Sequence, residues 1–198
     1  MSAQTSSNQD SPSASRWRLW VDGCGGFLLL AGNRWTVGGF DQQSPPDLCV
    51  RADWPRRSGT IIRQDADYFW QSWQQDDTSL IQPGNLLPTG GSAAMTLDCP
   101  SPLSNSATLS LRGPHRFDGH VDAAILVDQV LLMGPTPNCH IRTIENSDQI
   151  VLVARGRQWE AQLKGQQNDP PENLDSRQPL VPGERIRIGS LAMTLEPA

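Results

Sequence analysis

The sequence is poor in the features that announce most function classes. No apolar run is longer than the five residues Phe27 to Ala31, far below the roughly 20 that a membrane-spanning helix needs. No membrane partner is therefore expected. Excess positive charge is missing too, since 16 basic residues face 21 acidic ones for a net charge of −5. A duplex-binding domain needs a basic face to displace counterions, so nucleic acid is a poor partner. There is no CxxC pair. Cys24, Cys49, Cys99 and Cys139 lie far apart, which signals neither a zinc site nor a disulfide framework. Buried reduced thiols in a cytoplasmic protein are the expectation. Lysine is nearly absent, with Lys164 the only one, but a coding bias explains that equally well. A 3.6-residue apolar period is also lacking, so almost no helix is expected.

What the chain does have is turns and short β-rich runs. Gly (17) and Pro (16) are plentiful in its 198 residues, and they punctuate segments with strand patterning. WRLWV (17–21) and FLLLA (27–31) flank DGCGG and read as a hairpin. Strands are then expected at Trp35–Val37, 47–52, 59–64, 67–73 and Ala94–Leu97. In DYFWQSW, Phe69, Gln71 and Trp73 fall on one face, with Tyr68, Trp70 and Ser72 on the other. Six of the seven tryptophans precede residue 74 and are expected to form the bulk of a first core.

A Pro/Ser-rich joint follows, CPSPLSNSA (99–107), and the strand pattern restarts after it at 107–111, 122–128, 129–134, 139–144, 149–156 and 158–165. The stretch 166–179 reads as a polar loop, and PGERIRIGSLAMTLEP (182–197) as two strands about a Gly-Ser turn. The expected division is a disordered polar leader over 1–15, a first sandwich over 16–99 and a second over 100–198. The leader has neither a basic n-region nor an apolar core, so it is not a signal peptide. Charge splits evenly, with 7 basic and 9 acidic residues in 16–99, and 9 and 11 in 103–198. Each half is small for a β-sandwich, so close mutual packing is expected.

The order of these elements resembles the forkhead-associated domain. WTVGG (35–39), DLCVRADW (47–54) and PRRSGTI (55–61) carry the resemblance in the first half. LLMGPTPNCHIRTI (131–144) and LVPGERIRIGSLAMTLEP (180–197) carry it in the second, and NLLPTGGSAAMTL (85–97) echoes the latter. The whole is similar to bacterial proteins in which one such domain is followed by a divergent second. The resemblance implies an all-β protein of two tandem antiparallel sandwiches. It also implies a phosphothreonine-peptide reader working through loops at one end.

Departures from the family pattern bear on that function. The family's Gly-Arg is Gly38-Gly39 in the first half and Gly134-Pro135 in the second, so the phosphate-gripping Arg is missing from both. Its Ser-Arg-x-His is Pro55-Arg56-Arg57-Ser58, which keeps only Arg56. In the second half, His140 is assigned to the structural His position, preceded by Asn138 and Cys139. A charge-assisted hydrogen bond to phosphate is worth about 1.5–3 kcal/mol, so losing the Arg and Ser removes roughly 3–5 kcal/mol. A micromolar phosphopeptide complex would weaken by two orders of magnitude or more.

The expected function is thus a non-catalytic protein-binding or scaffolding module that has lost specific phosphothreonine recognition. The candidate peptide-binding residues are Gly39, Arg56, Arg57, Ser58 and Thr60, with Asn138, His140 and Arg142 in the second half. The alternative is a phosphothreonine reader rebuilt around Arg56 and Arg57. A third reading is a metal-dependent enzyme using His115, Asp118, His120 and Asp122 of HRFDGHVD. Those residues alternate unevenly along a strand, with no fourth ligand signalled nearby. Cys139 and His140 are strand neighbours facing opposite ways, so they make no nucleophile–base pair. The run GCGG (23–26) precedes a strand, not a helix, and cradles no phosphate. No cofactor and no metal are expected. Exposed strand edges leave self-association open.

Overall fold

The computed structural model describes residues 16–75, 77–144, 148–164 and 177–198. The expected leader and most of the polar loop 166–179 lie outside the described residues. Among the described residues every regular element is a strand, and no helix is long and apolar enough to cross a membrane. In chain order the first strands are β1 (Arg16–Val21), β2 (Gly25–Ala31), β3 (Arg34–Gly39), β4 (Leu48–Val50), β5 (Gly59–Gln64), β6 (Asp67–Ser72), β7 (Thr78–Leu80) and β8 (Met95–Asp98). After the joint come β9 (Ala107–Leu111), β10 (Ala123–Val127), β11 (Val130–Gly134), β12 (Ile141–Arg142), β13 (Ile150–Arg155), β14 (Gln158–Leu163), β15 (Gln178–Pro179), β16 (Arg185–Ile188) and β17 (Leu191–Pro197). The protein is all-β.

The strands form a seven-stranded sheet in the order β16-β17-β1-β2-β10-β9-β8 and two five-stranded sheets. One small sheet runs β4-β3-β5-β6-β7 and the other β12-β11-β13-β14-β15. The large sheet lies between them. Its central strands β2 and β10 pair in parallel, from Ala123 opposite Phe27 to Val127 opposite Ala31. Leu28, Leu30, Ala124 and Leu126 enter one core with Trp35, Ile61, Tyr68 and Trp70. Phe27, Leu29, Ala123 and Ile125 enter the other core with Met133, Leu152 and Trp159. Burial on both faces is why FLLLA and AAILV read as continuous apolar runs while β1, which ends in WRLWV, alternates. Each fully buried large apolar side chain contributes about 1.5–3 kcal/mol.

The two outer sheets are copies of one topology. In each, the first strand pairs in parallel with the short second strand and antiparallel with the third. The large sheet obeys the same repeat. Exchanging β1, β2 and β8 with β9, β10 and β17 reproduces its strand order, and the isolated bridge Leu86–Thr96 stands in for β16–β17. The opening hairpins have, however, changed places. β8 of the first half pairs with β9 of the second, and β17 of the second pairs with β1 of the first.

This arrangement corrects the expected division at residue 100. The joint connects β8 to β9, which are antiparallel neighbours in one sheet. Each core takes its floor from both halves of the chain. A Pro/Ser-rich stretch marks a chain reversal as readily as a linker, and composition cannot tell the two apart. The halves are also clamped by an ion pair between Arg63 of β5 and Asp128 after β10, with Nη2–Oδ1 at 2.9 Å. The Arg63 side chain is only 13% exposed, and its guanidinium lies 6.0 Å from the Trp35 ring centroid.

Other details differ from the sequence reading. Trp17 belongs to the second core, and Trp73 is 56% exposed. β7 and β15 form where no strand was expected. They are edge strands in which every residue is exposed, so no buried alternation marks them. Two of the four cysteines, Cys49 and Cys139, are buried, whereas Cys24 and Cys99 are partly exposed, and no disulfide joins any of them.

Candidate functional site

The loops around residues 40–47 and 51–58 gather at one end of the first outer sheet. Gly38 and Gly39 make that gathering feasible. A Cβ on Gly38 would collide with the Arg56 carbonyl oxygen, and one on Gly39 would lie 2.6 Å from the Trp54 carbonyl oxygen. Backbone bonds pin the loop to β3, with Gly39 N–H donating to the Pro55 oxygen and Ser58 N–H to the Val37 oxygen, both at 2.8 Å. Trp54 is buried and donates Nε1–H to the Ala93 oxygen at 3.1 Å, anchoring the loop from below.

The two arginines then diverge. Arg56 extends into solvent with its side chain 80% exposed, and Nη1 lies 3.9 Å from Asp41 Oδ2. The backbone N–H of Gln43, with help from Arg56, holds the Asp41 carboxyl below its ordinary range, so a negative charge stands beside Arg56. Arg57 turns the other way and lies over the Trp73 ring, 4.7 Å from its centroid. A cleft of about 160 Å³ opens there, between Arg57 and Trp73 on one side and Pro45 and Pro46 on the other. A similar pair, Arg51 over Phe40 at 4.7 Å, borders the same loops, and Arg51 also pairs with Asp118 at 2.8 Å.

The sequence-derived site residues are thus only partly assembled. Arg57 lines the proline-walled cleft, whereas Gly39 is buried beneath the loop as its support. Ser58 is 9% exposed, and its Oγ has no hydrogen-bond partner, so it is not presented to a ligand. Thr60 is 5% exposed and borders a separate hollow of about 240 Å³ with Arg34 and Gln71, beyond Trp73. Trp73 and the Pro45-Pro46 pair were not singled out from the sequence. The outward parity of Phe69, Gln71 and Trp73 was the available signal, because it places Trp73 on the open face.

Of the second-half residues, His140 and Arg142 border one cleft of about 570 Å³, whereas Asn138 does not line it. Asn138 bonds through Oδ1 to the Thr136 hydroxyl. Arg142 is exposed, with Nη2 3.5 Å from the Pro135 oxygen. His140 is buried, and Nδ1 accepts from the Leu132 N–H at 3.0 Å while Nε2 lies 3.2 Å from the Ser106 oxygen. Burial lowers its pKa, against the two backbone bonds that raise it.

The strand registers also correct its assignment. Val37 pairs with Leu48 as Met133 pairs with Ile141, which makes His140 the counterpart of Asp47. Asp47 does the same work, accepting from the Thr36 N–H at 2.8 Å. The counterpart of Ser58 is Gln149, since Trp73 N–H bonds to the Ser58 oxygen as Lys164 N–H bonds to the Gln149 oxygen. By the same count Arg57 answers to Asp148 and Trp73 to Lys164. Asp148 accepts from the backbone N–H and hydroxyl of Ser190, so among the described residues the arginine–tryptophan cleft has no twin in the second half.

The HRFDGHVD segment separates its carboxylates. Asp118 faces Arg51, while Asp122 faces Arg116 at 3.1 Å and accepts from the Gly26 N–H. Among the described residues no group of three His, Cys, Asp or Glu side chains is placed to hold a metal ion. The chain matches no family model, no curated protein and no solved structure.

Proposed function

We propose that this protein is a non-catalytic binding and scaffolding module of forkhead-associated type, acting in the cytoplasm, whose partner contacts do not depend on phosphate. The observation that carries this reading is the separation of Arg56 and Arg57. One arginine stands beside an ionised Asp41 and the other lies over the Trp73 ring. A phosphate reader needs several donors aimed at one point in the absence of competing negative charge. Exposed tryptophan and arginine beside proline have instead the composition of the residues that dominate protein–protein binding energy.

The test uses the immobilised full chain and a cell lysate divided into phosphatase-treated and untreated portions. The expected outcome is the same set of captured proteins from both portions, and loss of capture with Arg57→Ala or Trp73→Ala. Capture abolished by phosphatase would overturn this reading in favour of a phosphothreonine reader rebuilt around Arg56 and Arg57, for which Arg56→Ala should abolish binding of a phosphothreonine peptide library.

A further inference from the structure

The internal repeat offers a template for a second site. In the first half the outer edge of β4 is not bare. The segment between β9 and β10 lies along it, with Phe117 bridged antiparallel to Val50 and Asp118 N–H donating to the Cys49 oxygen at 2.9 Å. The Phe117 side chain is 2% exposed and enters the first core. Trp20 of β1 packs against the same core.

The second half lacks both fillers. Its opening hairpin is β1–β2, and only Asp22, Gly23 and Cys24 connect those strands, against residues 112–122 between β9 and β10. Three residues are too few to reach along β12. The counterpart of Trp20 is Ser110, since Trp20 pairs with Gly26 as Ser110 pairs with Ala123, each one residue from the end of its strand. Among the described residues no strand lies beyond β12 in its sheet. A cleft of about 570 Å³ opens at this place, bordered by Cys24, Phe27, Ser110, Ala123, Cys139 and Arg142. Beyond β12, Ile144 is 91% exposed and answers by register to Arg51, which borders the covering segment in the first half.

We propose that this cleft takes an extended segment of a partner protein, added as a strand along β12, with one aromatic side chain seated where Phe117 sits in the first half. Main-chain bonds to an open edge supply affinity in such additions, and the pocket beside the edge supplies choice of side chain. The described part of the chain has no second copy of the covering segment. The rest of the sequence offers no aromatic residue either, since 1–15, 76, 145–147 and 165–176 contain no Phe, Trp or Tyr. The occupant proposed is a separate polypeptide. The site is independent of the arginine–tryptophan cleft on the first outer sheet.

The test is selection of a random-peptide library on the full chain, followed by binding measurements on the enriched peptides. The expected result is a family of peptides sharing an aromatic residue in an extended, otherwise variable context. Their affinity should fall at least ten-fold with Ser110→Trp, which restores the tryptophan of the first half, and stay unchanged with Trp73→Ala. Ala123→Phe fills the same space from the neighbouring strand and serves should Ser110→Trp fail to fold. Bound peptide should slow hydrogen exchange at the β12 edge. Failure to enrich any aromatic peptide, or binding unaffected by both filling variants, overturns the proposal. Binding lost only with Trp73→Ala would overturn it as well, while leaving the function proposed above standing.

Discussion

His140 offers a quantitative test of how the repeat was built. Its ring joins β11 to the start of β9, accepting from the Leu132 N–H at 3.0 Å and meeting the Ser106 carbonyl at 3.2 Å. Since Nδ1 is an acceptor, the proton sits on Nε2 and the ring is neutral. His140→Ala leaves a buried N–H and a buried carbonyl without partners, at about 1–3 kcal/mol each, so a loss of roughly 2–6 kcal/mol is expected. His140→Asn places an oxygen near the Nδ1 position, as Asp47 does in the first half, and should recover about half of that loss.

The sign of the pH effect follows from the lowered pKa. A depressed folded-state pKa means the unfolded chain binds the proton first as pH falls below the ordinary value of 6.5. Stability is therefore complete above that value and declines as pH drops towards the folded-state pKa, by at most about 1.4 kcal/mol per pH unit. Asp41, Asp53 and Asp148 have pKa values lowered from 3.8, so their linkage acts in more acidic solution. Urea titrations of wild type and His140→Asn between pH 7.5 and 5 isolate the histidine, and the variant should lose the slope. A His140→Ala loss below about 1 kcal/mol, or an unchanged slope in the asparagine variant, refutes the reasoning.

Two further outcomes follow from the packing. Asp128→Ala strands the largely buried Arg63 cation between the halves and should cost about 3–5 kcal/mol in chemical denaturation, with Arg63→Met/Asp128→Leu recovering most of it. Gly38→Ala drives a methyl group into the Arg56 carbonyl, so the loop must move. We expect a loss of about 1–3 kcal/mol in urea titration and weakened partner capture while the β-sheet circular dichroism spectrum is kept.

The fold class was legible because strand signals are local. GTIIRQ and ATLSL were bounded to the residue, since Ser58 and Asp65 flank the first, Ser106 and Arg112-Gly113-Pro114 flank the second, and their β-branched residues meet a pleated, half-buried surface. The pairing of strands was not legible. β2 and β10 are 92 residues apart from Ala31 to Ala123, and nothing in FLLLA or AAILV names its neighbour. Their unbroken apolar character did carry one message, that both faces are buried, and a strand covered on two sides has to sit between layers. At the site, motif spacing located the loop holding Arg56 and Arg57. It could not orient them, because orientation depends on Asp41 and Trp73, which lie 15 residues before Arg56 and 16 after Arg57.

The exchanged hairpins give the two halves unequal roles from nearly equal parts. Where β9–β10 carries a long connection, the first half's edge is sealed by Phe117, and the freed end presents Arg57 and Trp73. Where β1–β2 turns in three residues, the second half keeps its edge beside an unfilled cleft, and its end is tied by Asp148 to Ser190. Loop length therefore decides which edge is covered, while side chains at matched positions decide which end is adhesive. Since each core is floored by strands from both halves, a perturbation at the shared strands β2 and β10 reaches both surfaces at once. Covalent fusion of the repeats makes this sharing obligatory, and that is the physical reason neither surface can be assigned to a half that folds alone.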